Sequence, residues 1–170
     1  MRESRRQLTL FISDQNGMIE KIRAAFNPEQ FNLIPAHITL CREDEIEPLE
    51  KVLKNLGSII LPGPLRIEFG PVERFEDGKG VLLPGLIGNP GFDDLRKAVL
   101  TGIIDIPRNH RPHITLMHPR NSCCTDEIFR QIRVVALPIV LNFDTVSLIE
   151  QEQWGPWKVV EHFPICRPWT

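Results

Sequence analysis

Long apolar runs are missing from this sequence. No stretch approaches the ~18 consecutive apolar residues that a membrane-spanning helix needs. The start, Met1 to Arg6, is basic, but the apolar run after it, Leu8 to Ile12, is too short for a secretory signal core and contains Thr9. Cysteine is scarce. Cys41, Cys123, Cys124 and Cys166 form neither a CxxC pair nor a regular framework, which speaks against a disulfide scaffold and for reduced thiols in a soluble, cytoplasmic protein. A strong net charge is missing too: −2 over 170 residues excludes a globally basic nucleic-acid binder. Neither a linker nor a low-complexity tract interrupts the chain.

What is present is globular. Apolar residues make up 42% and charged residues 25%, well away from disorder. A chain of this length buries enough surface to fold without a metal or disulfides. The cations are biased, with 14 Arg against 6 Lys, and a guanidinium grips phosphate with two parallel hydrogen bonds where an ammonium cannot.

The hydrophobic periodicity predicts alternating elements. Gln7 to Ser13 reads as a strand and Asp14 to Gly17 as a turn. Met18, Ile22, Ala25 and Phe26 form a helical stripe that stops before Pro28. Leu33 to Cys41 is a second strand. A capping-box spacing at Asp44 and Glu47, with Pro48 in the first turn, opens a helix carrying Ile46, Leu49, Leu53 and Leu56 and ending at Gly57. Leu65 to Val72 and Gly80 to Leu86 read as strands joined around Asp77-Gly78, a hairpin signal. Asn89-Pro90 starts a helix that buries Phe92, Leu95, Val99 and Leu100 and closes at Gly102. Arg111 to Met117 is a strand, Thr125 caps a short helix with Ile128 and Ile132, and long strands follow near Ile139 to Gln151 and Trp157 to Ile165. This order is α+β with a largely antiparallel sheet.

One word occurs twice: His37-Ile38-Thr39-Leu40 and His113-Ile114-Thr115-Leu116. Both copies fall in predicted strands at matching points of two loosely repeated halves. Alternate strand residues share a face, so each copy offers an imidazole and a hydroxyl on one face and two aliphatics to a core on the other. Halves packed about a pseudo-twofold axis bring both His-Thr faces to one cleft. That set suits phosphodiester chemistry without a metal. One imidazole takes a proton from the attacking water or hydroxyl while the other protonates the leaving oxygen. Two hydroxyls hold the non-bridging oxygens for in-line attack.

The paired His-x-Thr-x motifs, the initial apolar strand, the proline at Pro112-His113 and the closing strand pair resemble the two-histidine phosphoesterase superfamily, which includes the 2′-5′ RNA ligase-like RNA cyclic phosphodiesterases. The resemblance implies a bilobal pseudo-twofold α+β sandwich of largely antiparallel sheets with outer helices and a central cleft, with residues 1–170 as a single domain of two interleaved lobes. It implies His37 as proton donor, His113 as acceptor, Thr39 and Thr115 on phosphate, no cofactor, and a nucleotide or RNA terminus as substrate. A monomer is expected. A departure from the family pattern lies after the second motif. A basic residue often follows there, whereas Met117 and His118 stand here and Arg42 follows the first motif instead.

Weaker candidates surround this core. Strand alternation sends Arg111 to the His113 face. Arg111 and His118 are expected to add charge at the cleft mouth, and Arg42 to lie on the solvated surface unless the strand ends first. Phe11, Trp154 and Trp157 offer rings for base stacking, with core or turn packing as the ordinary alternative. Three other readings remain open: a zinc hydrolase using His110, His113 and His118 near Cys123 and Cys124, a non-catalytic module that binds a nucleotide or RNA end, and a 2′-5′ ligase running the same acid–base pair in reverse.

Overall fold

A computed structural model describes residues 4–13 and 17–168. Of the turn expected over Asp14 to Gly17, Asp14, Gln15 and Asn16 lie outside the described residues, and Gly17 is left-handed at φ 64°. Strand β1 covers Ser4–Phe11 and buries Leu8 and Leu10 completely. Helix α1 (Met18–Phe26) turns Ile19 and Ile22 inward. The strand expected from Leu33 begins only at His37, because Pro28 opens a short helix, α2 (Pro28–Leu33). A proline at the first helical position loses no hydrogen bond, so the residue that stops one helix starts the next.

Strand β2 (His37–Cys41) leads to a 3-10 turn at Glu43–Glu45 and helix α3 (Leu49–Gly57). The capping box expected at Asp44 and Glu47 does not form. The Glu45 carboxylate instead accepts from the Arg42 N–H at 2.9 Å, and Pro48 stands at the N-cap of α3 rather than inside it. Strands β3 (Leu65–Glu68), β4 (Glu73–Arg74) and β5 (Val81–Pro84) follow. The Asp77-Gly78 turn joins β4 to β5, with Gly78 left-handed at φ 72°, whereas β3 pairs with a later strand. Helix α4 (Pro90–Val99) buries Phe92, Leu95 and Val99. Asn89 precedes it as expected but does not cap it. Its side chain accepts from the Glu68 N–H at 3.0 Å and donates to the Leu86 carbonyl at 2.7 Å.

Strand β6 (His113–Met117) is two residues shorter at its start than expected. Thr125 caps α5 (Asp126–Arg133), its hydroxyl accepting from the Ile128 N–H at 3.2 Å. The single strand expected over Ile139 to Gln151 is two, β7 (Val140–Phe143) and β8 (Thr145–Glu152), broken at Asp144 because each joins a different sheet. Strand β9 (Lys158–Pro164) closes the order.

Seven strands form one antiparallel sheet in the order β4-β5-β6-β2-β1-β8-β9, and β3 pairs with β7 in a second, two-stranded sheet. The fold class is therefore the expected α+β with antiparallel sheets. At the centre β2 and β6 meet with Ile38 opposite Ile114. The flanks match: β1 lies beside β2 and β5 beside β6. Both flanking ladders slip at the same point of the repeated word. Leu8 pairs with Cys41 and Thr9 with Thr39, while Val81 pairs with Met117 and Leu82 with Thr115. Each motif strand thus carries a bulge at its leucine, Leu40 or Leu116.

The aliphatic faces of the motif strands make the core. Ile38, Leu40 and Ile114 are fully buried and Leu116 nearly so. Helix α4 packs on β2 and β3, and α1 on β6. Each large aliphatic side chain withdrawn from water this way contributes ~1.5–3 kcal/mol. A buried ion pair ties the layers: Arg96 of α4 donates to Glu45 at 2.7 Å and also to the Leu40 carbonyl. Close approach of β5 to the chain before His113 requires glycine. The Gly85 N–H donates to the Pro112 carbonyl at 2.7 Å, and a Cβ on Gly85 meets the Pro112 ring at 2.7 Å.

Candidate active site

The polar faces of β2 and β6 open into a cleft of about 290 Å³ lined by His37, Thr39, His113 and Thr115. Antiparallel pairing centred on Ile38 and Ile114 sets His37 across from Thr115 and Thr39 across from His113. Each half of the site therefore draws its imidazole from one strand and its neighbouring hydroxyl from the other.

Both imidazoles are held the same way. The His37 Nδ1–H donates to the Pro35 carbonyl at 2.9 Å, and the His113 Nδ1–H donates to the Arg111 carbonyl at 3.1 Å. A carbonyl only accepts, so Nδ1 carries the proton in both rings and Nε2 is left for chemistry. An aromatic edge buttresses each ring: Phe11 lies 6.3 Å from His37 and Phe75 lies 5.9 Å from His113, both T-shaped. Among the described residues, neither Thr39 nor Thr115 has a hydrogen-bond partner for its hydroxyl.

The cleft is electropositive. Arg5, Arg23, Arg42 and Arg120 line it, and no Asp or Glu among the described residues does. Its histidines respond accordingly. Burial, opposed by the Pro35 hydrogen bond and reinforced by Arg23 and His113, pushes His37 down to about 4. Burial and then Arg42 and Arg111 lower His113, against its own carbonyl bond. Burial followed by Arg120 and Arg5 lowers His118. At neutral pH the cleft holds neutral imidazoles among fixed guanidinium charges, an arrangement that favours an anion.

The weaker candidates divide. His118 lines the cleft, and its Nδ1 accepts from the Arg120 N–H at 3.1 Å, which leaves Nε2 as a donor. Arg111 does not line it. Its guanidinium turns to the Gly85 carbonyl at 2.8 Å and to Glu73 at 3.1 Å, because β6 begins only at His113 and alternation does not reach back across Pro112. Phe11 also lies outside, against the His37 ring and along a neighbouring groove. Trp157 lines the cleft, while Trp154 packs under the Arg5 and Arg120 guanidinium groups.

Arg42, expected on the solvated surface, lines the cleft instead. The bulge is the reason: after Thr39, both Leu40 and Cys41 turn inward, so Arg42 returns to the histidine face. His118 returns by the same device after Leu116 and Met117. The doubled apolar steps Leu40-Cys41 and Leu116-Met117 were the sequence signal for this phase shift. His110, raised in the sequence only as a candidate zinc ligand, supports the motif strand instead. It is 8% exposed, donates from Nε2 to the Thr39 carbonyl at 3.0 Å, and lies 5.9 Å from the His113 ring. Burial, then Arg96, pushes it down to about 4. His110, His113 and His118 all line the cleft, but among the described residues no three His, Cys, Asp or Glu side chains are grouped to hold a metal ion.

The family model described as the 2′-5′ RNA ligase superfamily matches residues 12–154. Among solved structures, E. coli LigT in its apo form is similar at TM-score 0.65 and 18% identity, over 97% of this chain and 99% of that one. The crystal structure of a phosphoesterase is similar at TM-score 0.58 and 16% identity, over 96% of this chain and 99% of that one. TT0787 of Thermus thermophilus is similar at TM-score 0.51 and 20% identity, over 97% and 98%. E. coli LigT is also known in complexes with phosphate and with 3′-AMP. No curated protein sequence matches this chain at a significant level.

Proposed function

Because the chain belongs to the 2′-5′ RNA ligase superfamily, whose two-histidine phosphoesterase fold it shares, we propose that it hydrolyses a 2′,3′-cyclic or 2′-5′ phosphodiester of an RNA end or small nucleotide, by acid–base catalysis between His37 and His113. The observation that carries this reading is the matched pair of imidazoles, each pinned through Nδ1 to a backbone carbonyl two residues earlier and both lining one cleft with two unpartnered threonine hydroxyls. The phosphate and 3′-AMP held by LigT are ligands of the same chemical class.

The reaction divides between the two halves. Thr39 and Thr115 donate to the non-bridging oxygens and hold phosphorus for in-line attack. The neutral Nε2 of His113 accepts the proton of the attacking water as the new P–O bond forms. His37, protonated on both nitrogens, gives its Nε2 proton to the ribose oxygen as the old P–O bond breaks. The protein's own groups hold His37 neutral at neutral pH, and the anionic substrate favours the protonated form by offsetting the surrounding arginines. With the 5′-hydroxyl of a second RNA end attacking in place of water and the 3′-oxygen leaving, the same pair forms a 2′-5′ bond, and dilute cyclic substrate favours hydrolysis. Four free thiols, Cys123 among them exposed, support a reducing, cytoplasmic setting, and no helix among the described residues is long and apolar enough to cross a membrane.

The test is a phosphodiesterase panel in EDTA with wild type, His37→Ala and His113→Ala. Turnover of at least one cyclic or 2′-5′ substrate is expected without metal, reduced ~10²–10⁴-fold in each variant. Variants as active as the wild type contradict the mechanism, and wild-type turnover that disappears in EDTA contradicts its metal independence.

A further inference from the structure

The catalytic quartet accounts for one phosphate, and the cleft carries more positive charge than one phosphate uses. A second hollow of about 460 Å³ adjoins the catalytic one, and the residues lining both include Arg5, Thr39, Arg42, His118, Arg120 and Trp157. The carboxylates beside this outer hollow are already engaged. Glu43 accepts from Arg5 at 3.2 Å, and Asp44 is bound by Arg108. Arg42 and Arg120 are exposed, and neither has a carboxylate or hydrogen-bonding partner for its guanidinium among the described residues.

These arginines are built in rather than adrift on the surface. The Leu40 bulge turns Arg42 onto the histidine face, and its backbone N–H is fixed by the Glu45 carboxylate at 2.9 Å. Arg120 lies over the Trp154 ring at 5.5 Å, and Arg5 lies over the same ring at 5.1 Å and over Trp157 at 5.5 Å. The backbone of the Trp157 turn is anchored in turn to the Leu33 carbonyl at 2.9 Å. Stacking on indole restricts a guanidinium without using its N–H donors, which stay available for oxygen.

We infer that the arginine-lined mouth, Arg42 and Arg120 around Trp157, is a second phosphate subsite, so that the preferred substrate carries another phosphate beyond the one that reacts. This rests on the hydrolase reading above and narrows it. A nucleoside 2′,3′-cyclic monophosphate fills only the inner site. A dinucleotide or longer RNA end also presents its neighbouring phosphodiester, and a 5′-phosphorylated cyclic nucleotide presents a phosphomonoester.

Four substrates separate the possibilities: a nucleoside 2′,3′-cyclic phosphate, the same nucleotide bearing a 5′-phosphate, a dinucleotide with the same cyclic end, and that dinucleotide with an uncharged methylphosphonate linkage. The wild type is expected to show kcat/KM about tenfold or more higher on the charged dinucleotide than on the simple cyclic nucleotide, and the methylphosphonate is expected to lose that advantage. An equal gain from the 5′-phosphate means the subsite takes either phosphate; no gain there assigns it to the internucleotide linkage. In the Arg42→Gln/Arg120→Gln double variant, kcat/KM on the charged dinucleotide is expected to fall about tenfold further than on the simple nucleotide. Equal wild-type rates on all four substrates, or one common loss in the variant, overturns the subsite. Calorimetric Kd values for the dinucleotide with a terminal 2′-phosphate against the nucleoside 2′-phosphate give a readout independent of turnover. Tighter dinucleotide binding that disappears in the double variant, without turnover of any substrate, upholds the subsite and ends the hydrolase reading. Equal binding of the two ends the subsite whatever the turnover.

Discussion

A histidine that works as acid and base is useful only near its own pKa, and here the surroundings displace it. Burial and guanidinium charge hold His37 down to about 4 and lower His113 as well. The proposed acid–base mechanism needs one imidazole charged and one neutral. That singly protonated pair is most populated between two macroscopic pKa values that both lie below the ordinary 6.5. The pH profile of kcat/KM, which reports the free enzyme, is therefore expected to peak below about pH 6.5. The profile of kcat is expected to lie at higher pH, because the bound phosphodiester anion favours the imidazolium. Rates measured from about pH 4 to about pH 9 in EDTA check this, and coincident profiles centred above about pH 7 contradict it. At this scale the sequence was informative about identity and less so about orientation. His37, Thr39, His113 and Thr115 share one cleft, as alternation in two short strands required. Arg111 and Arg42 exchanged expected places, because alternation holds only inside a regular ladder and both residues lie just beyond one.

Elements hold the histidines through contacts made behind the sheet. Arg96 on α4 bonds Glu45 and the Leu40 carbonyl, so one guanidinium fixes the helix, the 3-10 turn and the bulge that redirects Arg42. Both side chains of the pair are buried, at 3% and 1% exposure. Arg96→Met leaves the Glu45 carboxylate buried without its main partner, and a loss of ~3–5 kcal/mol is expected from urea denaturation. The double change Arg96→Met/Glu45→Leu removes both charges and is expected to recover much of that loss. A double variant as unstable as the single one shows that the guanidinium acts on the strand through Leu40 instead. Periodicity located the helices carrying Ile22, Leu56, Phe92 and Ile132. It failed where one proline ended α1 and began α2, and where β7 and β8 run together in sequence but pair in different sheets. Pairing partners are chosen by long-range packing, which local periodicity does not carry.

For the whole molecule, neutral buried histidines make stability depend on pH. His37 and His110 both lie at about 4 in the fold, against 6.5 when exposed. Between those values the unfolded chain binds protons that the folded chain does not. Stability is therefore complete above about pH 6.5, falls as pH drops through the window, and stops falling from this cause below about 4. The paired carboxylates of Asp44, Glu45 and Glu150, held below their usual range, titrate at lower pH and leave the upper part of the window to the histidines. Thermal denaturation is expected to show Tm declining from about pH 7 to about pH 4.5. His110→Gln, which keeps a donor for the Thr39 carbonyl, is expected to flatten the decline. An unchanged slope in that variant excludes His110 as a contributor.

A short word repeated in two strands was enough to pick out the two His-Thr pairs that share the cleft, because side-chain direction in a strand follows from position alone. The pseudo-twofold meeting of those strands at Ile38 and Ile114 was decided only by tertiary packing. So were the paired bulges, the neutral state of the imidazoles and the arginines at the mouth, since each depends on which distant backbone or charge the fold brings alongside.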